Sequence, residues 1–147
     1  MAKKKKQAKN SSKNLMWLTA LTVIVIAAGV FYFAGKQGSG NDKVFRNVTV
    51  SDLKNATEAD KLILDVRTTG EYDQGHIEGS AQIAVQELEG RLNEISDYKD
   101  KPIYVYCHTG NRSLVASEIL QKNGFKDIRN VKGGTEAWLR AGYTLVR

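Results

Sequence analysis

From Leu15 to Ala34 the chain reads LMWLTALTVIVIAAGVFYFA, twenty residues without a charge. No other feature restricts the possible folds as strongly. As an α-helix rising about 1.5 Å per residue, the run spans about 30 Å, the hydrocarbon thickness of a bilayer. A helix that is apolar all round must be surrounded by apolar material, and residues 37–147 are too few to enclose it. Thr19 and Thr22 are tolerable in lipid, because a helical threonine bonds a carbonyl one turn back. Trp17 near one end, and Phe31, Tyr32 and Phe33 near the other, suit the two interfaces. The sequence therefore predicts four parts. These are a basic tail over residues 1–14, a transmembrane helix over 15–34, a glycine-rich flexible linker over 35–43 and one globular domain over 44–147.

Charge sets the orientation of that anchor. Residues 1–36 hold seven of the 22 basic residues and none of the 16 acidic ones, which leaves 15 against 16 in the remainder. The excess of six positive charges thus belongs to the tail, and the globular part has no footprint for a polyanion. Nucleic acid is set aside as a partner. Six lysines precede the apolar run, so the positive-inside rule puts the N-terminus in the cytoplasm and the domain on the other side. A cleaved signal peptide is the competing reading, with Ala27-Ala28-Gly29 as the small-residue cleavage site. The continuation of apolar sequence through Val30–Ala34 favours the anchor, and either reading exports the domain.

Beyond Val44, short apolar runs alternate with helical segments. Lys61–Val66 (KLILDV) and Pro102–Cys107 (PIYVYC) are almost continuously apolar, as strands covered on both faces are. Weaker strands are expected at Ala81–Ala84 and Asp127–Val131, with an edge strand at Phe45–Val48. Helices are expected at Ser51–Ala56, with Ser51 as N-cap, and at Glu71–Gln74, Gln86–Ile95, Ser113–Asn123 and Thr135–Ala141. Such alternation predicts an α/β domain with a largely parallel sheet of about five strands flanked by helices. Ligands of such sheets sit at the carboxyl ends of strands, where Asp65-Val66-Arg67 and Cys107–Ser113 are expected.

Cys107 is the only cysteine, which excludes an internal disulfide and any CxxC pattern. With two histidines in the chain, a conventional zinc site has too few ligands. A lone cysteine is either a small buried apolar residue or a reactive thiol. The segment Cys107-His108-Thr109-Gly110-Asn111-Arg112-Ser113 decides for the second. Gly110 and Asn111 accept left-handed backbone conformations, so the turn can aim successive N–H groups at a point above the sulfur. The following helix adds its free N–H groups and the positive end of its dipole. Arg112 adds a cation, and Thr109 and Ser113 add hydroxyl donors. This cradle suits both a thiolate and an incoming anion.

Three stretches, LILDVRTTGEYDQGHIEGSAQI (Leu62–Ile83), CHTGNRS (Cys107–Ser113) and VKGGTEAWLRAGY (Val131–Tyr143), occur in the order found in rhodaneses. The domain resembles a single-domain rhodanese over nearly all of residues 44–147. Glu78, Ser80 and Thr144 depart from the family's usual residues at what read as surface turns. The resemblance implies a rhodanese-type sulfurtransferase, with Cys107 as the nucleophile. Its thiolate would attack the outer sulfur of a donor such as thiosulfate or a polysulfide, forming a persulfide, and a thiol or another thiophilic acceptor would then remove that sulfur. No metal or organic cofactor is implied. His108, Thr109, Gly110, Asn111, Arg112 and Ser113 would bind the anionic donor.

Supporting roles are expected around the loop. Asp65 reads as a brace beneath it, and the spacing of Arg67 and Glu71 suits an ion pair if the segment is helical. His76 reads as a hydrogen-bonded turn residue, Trp138 and Leu139 as core, and Gly133-Gly134 as a turn beside the loop. Two rivals remain. Cysteine-dependent phosphatases and arsenate reductases typically place five residues between cysteine and arginine, whereas four stand between Cys107 and Arg112. The other rival is a non-catalytic docking or redox-sensing module, against which the intact cysteine loop argues.

Overall fold

The structure is a computed structural model and describes residues 45–147. The expected tail, transmembrane helix and linker lie outside the described residues. Among the described residues, no helix is long and apolar enough to cross a membrane.

Five strands form one sheet: β1 (Arg46–Val48), β2 (Leu62–Asp65), β3 (Ser80–Gln82), β4 (Pro102–Tyr106) and β5 (Asp127–Val131). Their order across the sheet is β1-β5-β4-β2-β3, and every pairing is parallel. The two strands of nearly continuous apolarity, β2 and β4, pair at the middle, in register Leu64 to Val105 and Asp65 to Tyr106. From β2 the chain moves outward to β3; from β4 it moves the opposite way, to β5. The carboxyl ends of β2 and β4 therefore flank a topological switch point, where a parallel sheet opens a crevice.

The two-residue period of the strands sorts the core into two faces. Leu62, Leu64, Ile103, Val105 and Ile128 point to one side and pack with Ala116 and Leu120 of helix α3 (Asn111–Lys122). Cys107 continues the Ile103–Val105 row on that face. Tyr104, Tyr106 and Val131 point to the other side, against Val50 and Leu53 of α1 (Val50–Lys54) and Trp138 of α4 (Gly134–Arg140). Helix α2 (Thr69–Gln74) links β2 to the turn before β3.

Two expected helix boundaries move for a shared reason. Helix α1 is capped by Thr49 rather than Ser51, and α2 by Thr68. In both, the threonine hydroxyl accepts from the N–H three residues on, while that residue's carboxylate accepts from the threonine N–H. These are capping boxes, Thr49 with Asp52 and Thr68 with Glu71. The helix expected over Gln86–Ile95 is a 3-10 segment over Leu88–Tyr98 that kinks at Ile95. Buried Leu88 and Ile95, with Leu92 packed on the same core, follow the i, i+4, i+7 spacing of an α-helix, so periodicity points to α geometry where the chain takes the tighter form.

Candidate active site

Cys107 follows the last residue of β4 and is 1% exposed, at the bottom of the loop that enters α3. Gly110 caps α3 with φ of +106°, and its N–H points at Cys107 Sγ from 3.1 Å. Asn111, expected to share the left-handed geometry, is instead the first residue of α3, and no described non-glycine residue has positive φ. One glycine suffices for the reversal.

The loop is held from outside by the start of α4. Thr135 N–H donates to Cys107 O at 2.9 Å and Glu136 N–H to His108 O at 3.1 Å. Drawing these carbonyls outward leaves the N–H side of the loop facing the sulfur. The contact requires Gly134, because a Cβ there would lie 2.0 Å from Cys107 O. The Gly133-Gly134 turn thus stands beside the loop, as the sequence suggested.

Ser113 is fully buried, with Oγ 3.9 Å from the sulfur. Its hydroxyl donates to Asn130 Oδ1 at 2.6 Å or to Gly110 O at 3.0 Å. The single hydroxyl proton is taken by one of these two acceptors, so toward Sγ the oxygen presents a lone pair. Ser113 accordingly accepts from the thiol, a correction to its expected role as a donor. Asn130, 2% exposed, is oriented in turn by donating Nδ2 to Asn47 Oδ1 at 2.8 Å. The in-loop hydrogen bond that suits a sulfur anion is therefore the one from Gly110, assisted by the N-terminus of the twelve-residue α3.

Arg112 does not stand free. Its Nη1 and Nη2 donate to Glu71 Oε2 and Oε1 at 2.8 and 2.7 Å, a two-pronged pair that joins the loop to α2. Hydrogen bonds from Arg112, with help from Thr68, hold the Glu71 carboxyl at about 2, far below the usual carboxylate value. Arg112 is raised in return, first by Glu71 and to a smaller degree by the Cys107 sulfur. The expected Arg67–Glu71 pair does not form. Arg67 turns to Asp65, with Nε 3.0 Å from both carboxylate oxygens and Nη2 2.6 Å from Oδ2, and also donates to Gly75 O. The physical reason is position: Arg67 precedes α2, so the helical spacing that would bring residues 67 and 71 together does not apply.

The remaining expected residues fall as follows. Asp65, 0% exposed, braces the turn after β2 by also accepting from Arg67 N–H. His76 is a turn residue: its ring stacks on Tyr72 and Nδ1 lies 3.2 Å from Tyr72 O. Thr109 and Asn111 are exposed on the rim. His108 is exposed, with Nδ1 3.1 Å from Thr135 Oγ1. Ser80 is buried rather than superficial, and its hydroxyl meets Tyr106 Oη at 3.0 Å. Trp138 is core, but Leu139 is 53% exposed. Leu139 lines a cleft of about 260 Å3 together with His108, Thr135, Arg67, Glu71 and Gly75. Among the described residues, no group of three or more histidine, cysteine and acidic side chains is placed to hold a metal ion.

This geometry can be set beside known proteins. The family model described as the rhodanese-like domain matches residues 49–141. The chain belongs to the rhodanese-like family. Among its relatives, the uncharacterized protein YqhL of Bacillus subtilis is 34% identical over 118 residues, covering 80% of this chain and 90% of that one. The thiosulfate sulfurtransferase GlpE of Shewanella oneidensis is 31% identical, covering 66% of this chain and 95% of its own length. A rhodanese-related protein of Thermoplasma volcanium has a crystal structure that superposes with a TM-score of 0.62 at 34% identity, over 69% of this chain and 97% of that one. The rhodanese-like fold, built in this chain on a five-stranded parallel sheet, is thus shared with these neighbours. Relatives named as sulfurtransferases support sulfur transfer at a general level.

Proposed function

We propose that this rhodanese-like domain is a sulfurtransferase that carries sulfane sulfur as a persulfide on Cys107. One observation carries the reading: the sole thiol sits at the switch point of the sheet, with Gly110 N–H 3.1 Å from its sulfur and a helix N-terminus behind it. With thiosulfate, the Cys107 thiolate attacks the outer sulfur, the donor's S–S bond breaks, and sulfite leaves with the electron pair. The persulfide anion on Cys107 occupies the space under the loop N–H groups. An acceptor then attacks the outer sulfur and frees the thiolate, cyanide leaving as thiocyanate and a thiol as a persulfide. Neither half-reaction requires a metal or an organic cofactor. Rate measurements with thiosulfate and cyanide test the proposal: the native protein is expected to turn over, and Cys107→Ser to show none. Equal rates for the two proteins contradict it.

The sequence also supports placing this domain outside the cytoplasm, on a membrane anchor formed by Leu15–Ala34. Alkaline extraction of membranes tests that part: an anchored chain stays with the lipid, and an unanchored one is released.

A further inference from the structure

Arg112 is the one cation within the Cys107 loop, and both of its terminal nitrogens are taken by the two oxygens of Glu71. Nearby, the guanidinium of Arg67 is likewise matched by Asp65. Each of these cations is thus matched by a carboxylate, and only the part of the Arg112 charge that Glu71 leaves uncompensated remains to offset a thiolate at Cys107. A doubly charged donor approaching this mouth meets repulsion from the nucleophile while both of these arginines are already paired. A donor carrying its sulfane sulfur on an uncharged or singly charged thiol meets less.

We propose that Glu71 is a specificity-determining residue that, by clamping Arg112, turns the Cys107 site away from doubly charged donors such as thiosulfate and toward organic persulfides of low charge. This rests on the sulfurtransferase reading and deepens it by naming the donor class. With such a donor, the Cys107 thiolate attacks the outer sulfur of R–S–SH. The new S–S bond forms on Cys107, the donor's S–S bond breaks, and R–S⁻ leaves with the electron pair while the proton stays on the transferred sulfur. Glu71 acts through Arg112 and touches no reacting atom, so it is a positioning residue. The Glu71 and Arg112 side chains are 34% and 32% exposed, so an arriving donor reaches the guanidinium only by displacing Glu71.

The test uses the full chain and reads the charge preference of Cys107, its only cysteine, without relying on sulfur transfer. Alkylation rates with anionic iodoacetate and neutral iodoacetamide are measured, and their ratio cancels any change in thiolate fraction. Glu71→Gln preserves the capping pattern with Thr68 and removes the charge. It is expected to raise the iodoacetate-to-iodoacetamide ratio about two- to fivefold, the factor a half-exposed ion pair supplies. In the background of Arg112→Gln only the through-space loss of a negative charge remains, so the same change is expected to raise the ratio by less. Salt gives an independent reading on the native protein: the ratio is expected to rise with ionic strength, as screening relieves repulsion at an uncompensated thiolate. A ratio unchanged or lowered by Glu71→Gln, or one that falls with salt in the native protein, overturns the proposal. Failure of sulfur transfer with every donor would instead strike the sulfurtransferase reading and leave these ratios standing. If transfer occurs, kcat/KM for thiosulfate is expected to rise with Glu71→Gln while that for an uncharged persulfide stays level.

Discussion

Two arginine–carboxylate pairs border the Cys107 loop, and they differ in exposure. Asp65 and Arg67 are 0% and 5% exposed at the side chain, whereas Glu71 and Arg112 are 34% and 32% exposed. The contacts are alike in length, 2.6 Å in the first and 2.7 Å in the second. Burial, rather than geometry, separates their roles. The first pair fixes the turn after β2 to Gly75 and cannot be opened without stranding a charge in low dielectric. The second is wet enough to exchange partners, so it can adjust what the site admits.

Breaking the buried pair is expected to have the largest effect. Arg67→Ala leaves Asp65 uncompensated and should lower stability by about 3–5 kcal/mol in urea unfolding. Replacing both partners by apolar residues of similar size should recover much of that loss. Loss below about 1 kcal/mol for Arg67→Ala would erase the distinction between the pairs. The buried Ser113–Asn130 contact extends the comparison to uncharged groups. Ser113→Ala deprives Asn130 Oδ1 of its donor and should cost about 1–3 kcal/mol. Opening the wet pair should matter least for folding: Arg112→Gln is expected to change stability by no more than about 1 kcal/mol.

Acid sharpens the same contrast. The Glu71 carboxyl is held at about 2 against an ordinary 4.5, chiefly by Arg112. A depressed carboxylate stabilises the fold above its unfolded value and loses that contribution as pH falls through its folded value. The stability gap between the native protein and Glu71→Gln should therefore be full above pH 4.5 and close as pH falls toward about 2. Solvent screening limits its size to about 1 kcal/mol. A gap that stays constant across that range would deny Glu71 its role as the titrating partner.

Much of the fold was legible because apolar continuity is a strong signal in central parallel strands. Leu62–Leu64 and Ile103–Tyr106 form the two inner strands of the switch point, and Asp127–Val131 is a strand over its full expected range. Cys107 and Gly110 were legible from the loop composition alone, since a strand-to-helix turn with one permissive glycine closes in few ways. Partnerships were not. Glu71 could be assigned to Arg67 or Arg112 only once α2 and the loop were placed in space, because helical spacing speaks for pairs within one helix and not between segments. Asn130 left a fainter trace, as a polar residue in an otherwise buried strand end, which Ser113 explains. Leu139 reads as core by its neighbour Trp138, yet successive residues on a helix face different ways. The 3-10 geometry of Leu88–Tyr98 was not legible, because Leu88, Leu92 and Ile95 carry the spacing of an α-helix.

The central claim is that Cys107 carries the sulfur. Intact mass of the full chain, taken before and after a sulfane-sulfur donor and again after cyanide, tests it most directly. The expected result is a gain of one sulfur atom by the native protein with an organic persulfide, less readily with thiosulfate, lost on adding cyanide and absent in Cys107→Ser. No gain with any donor, or an equal gain by Cys107→Ser, would contradict the account.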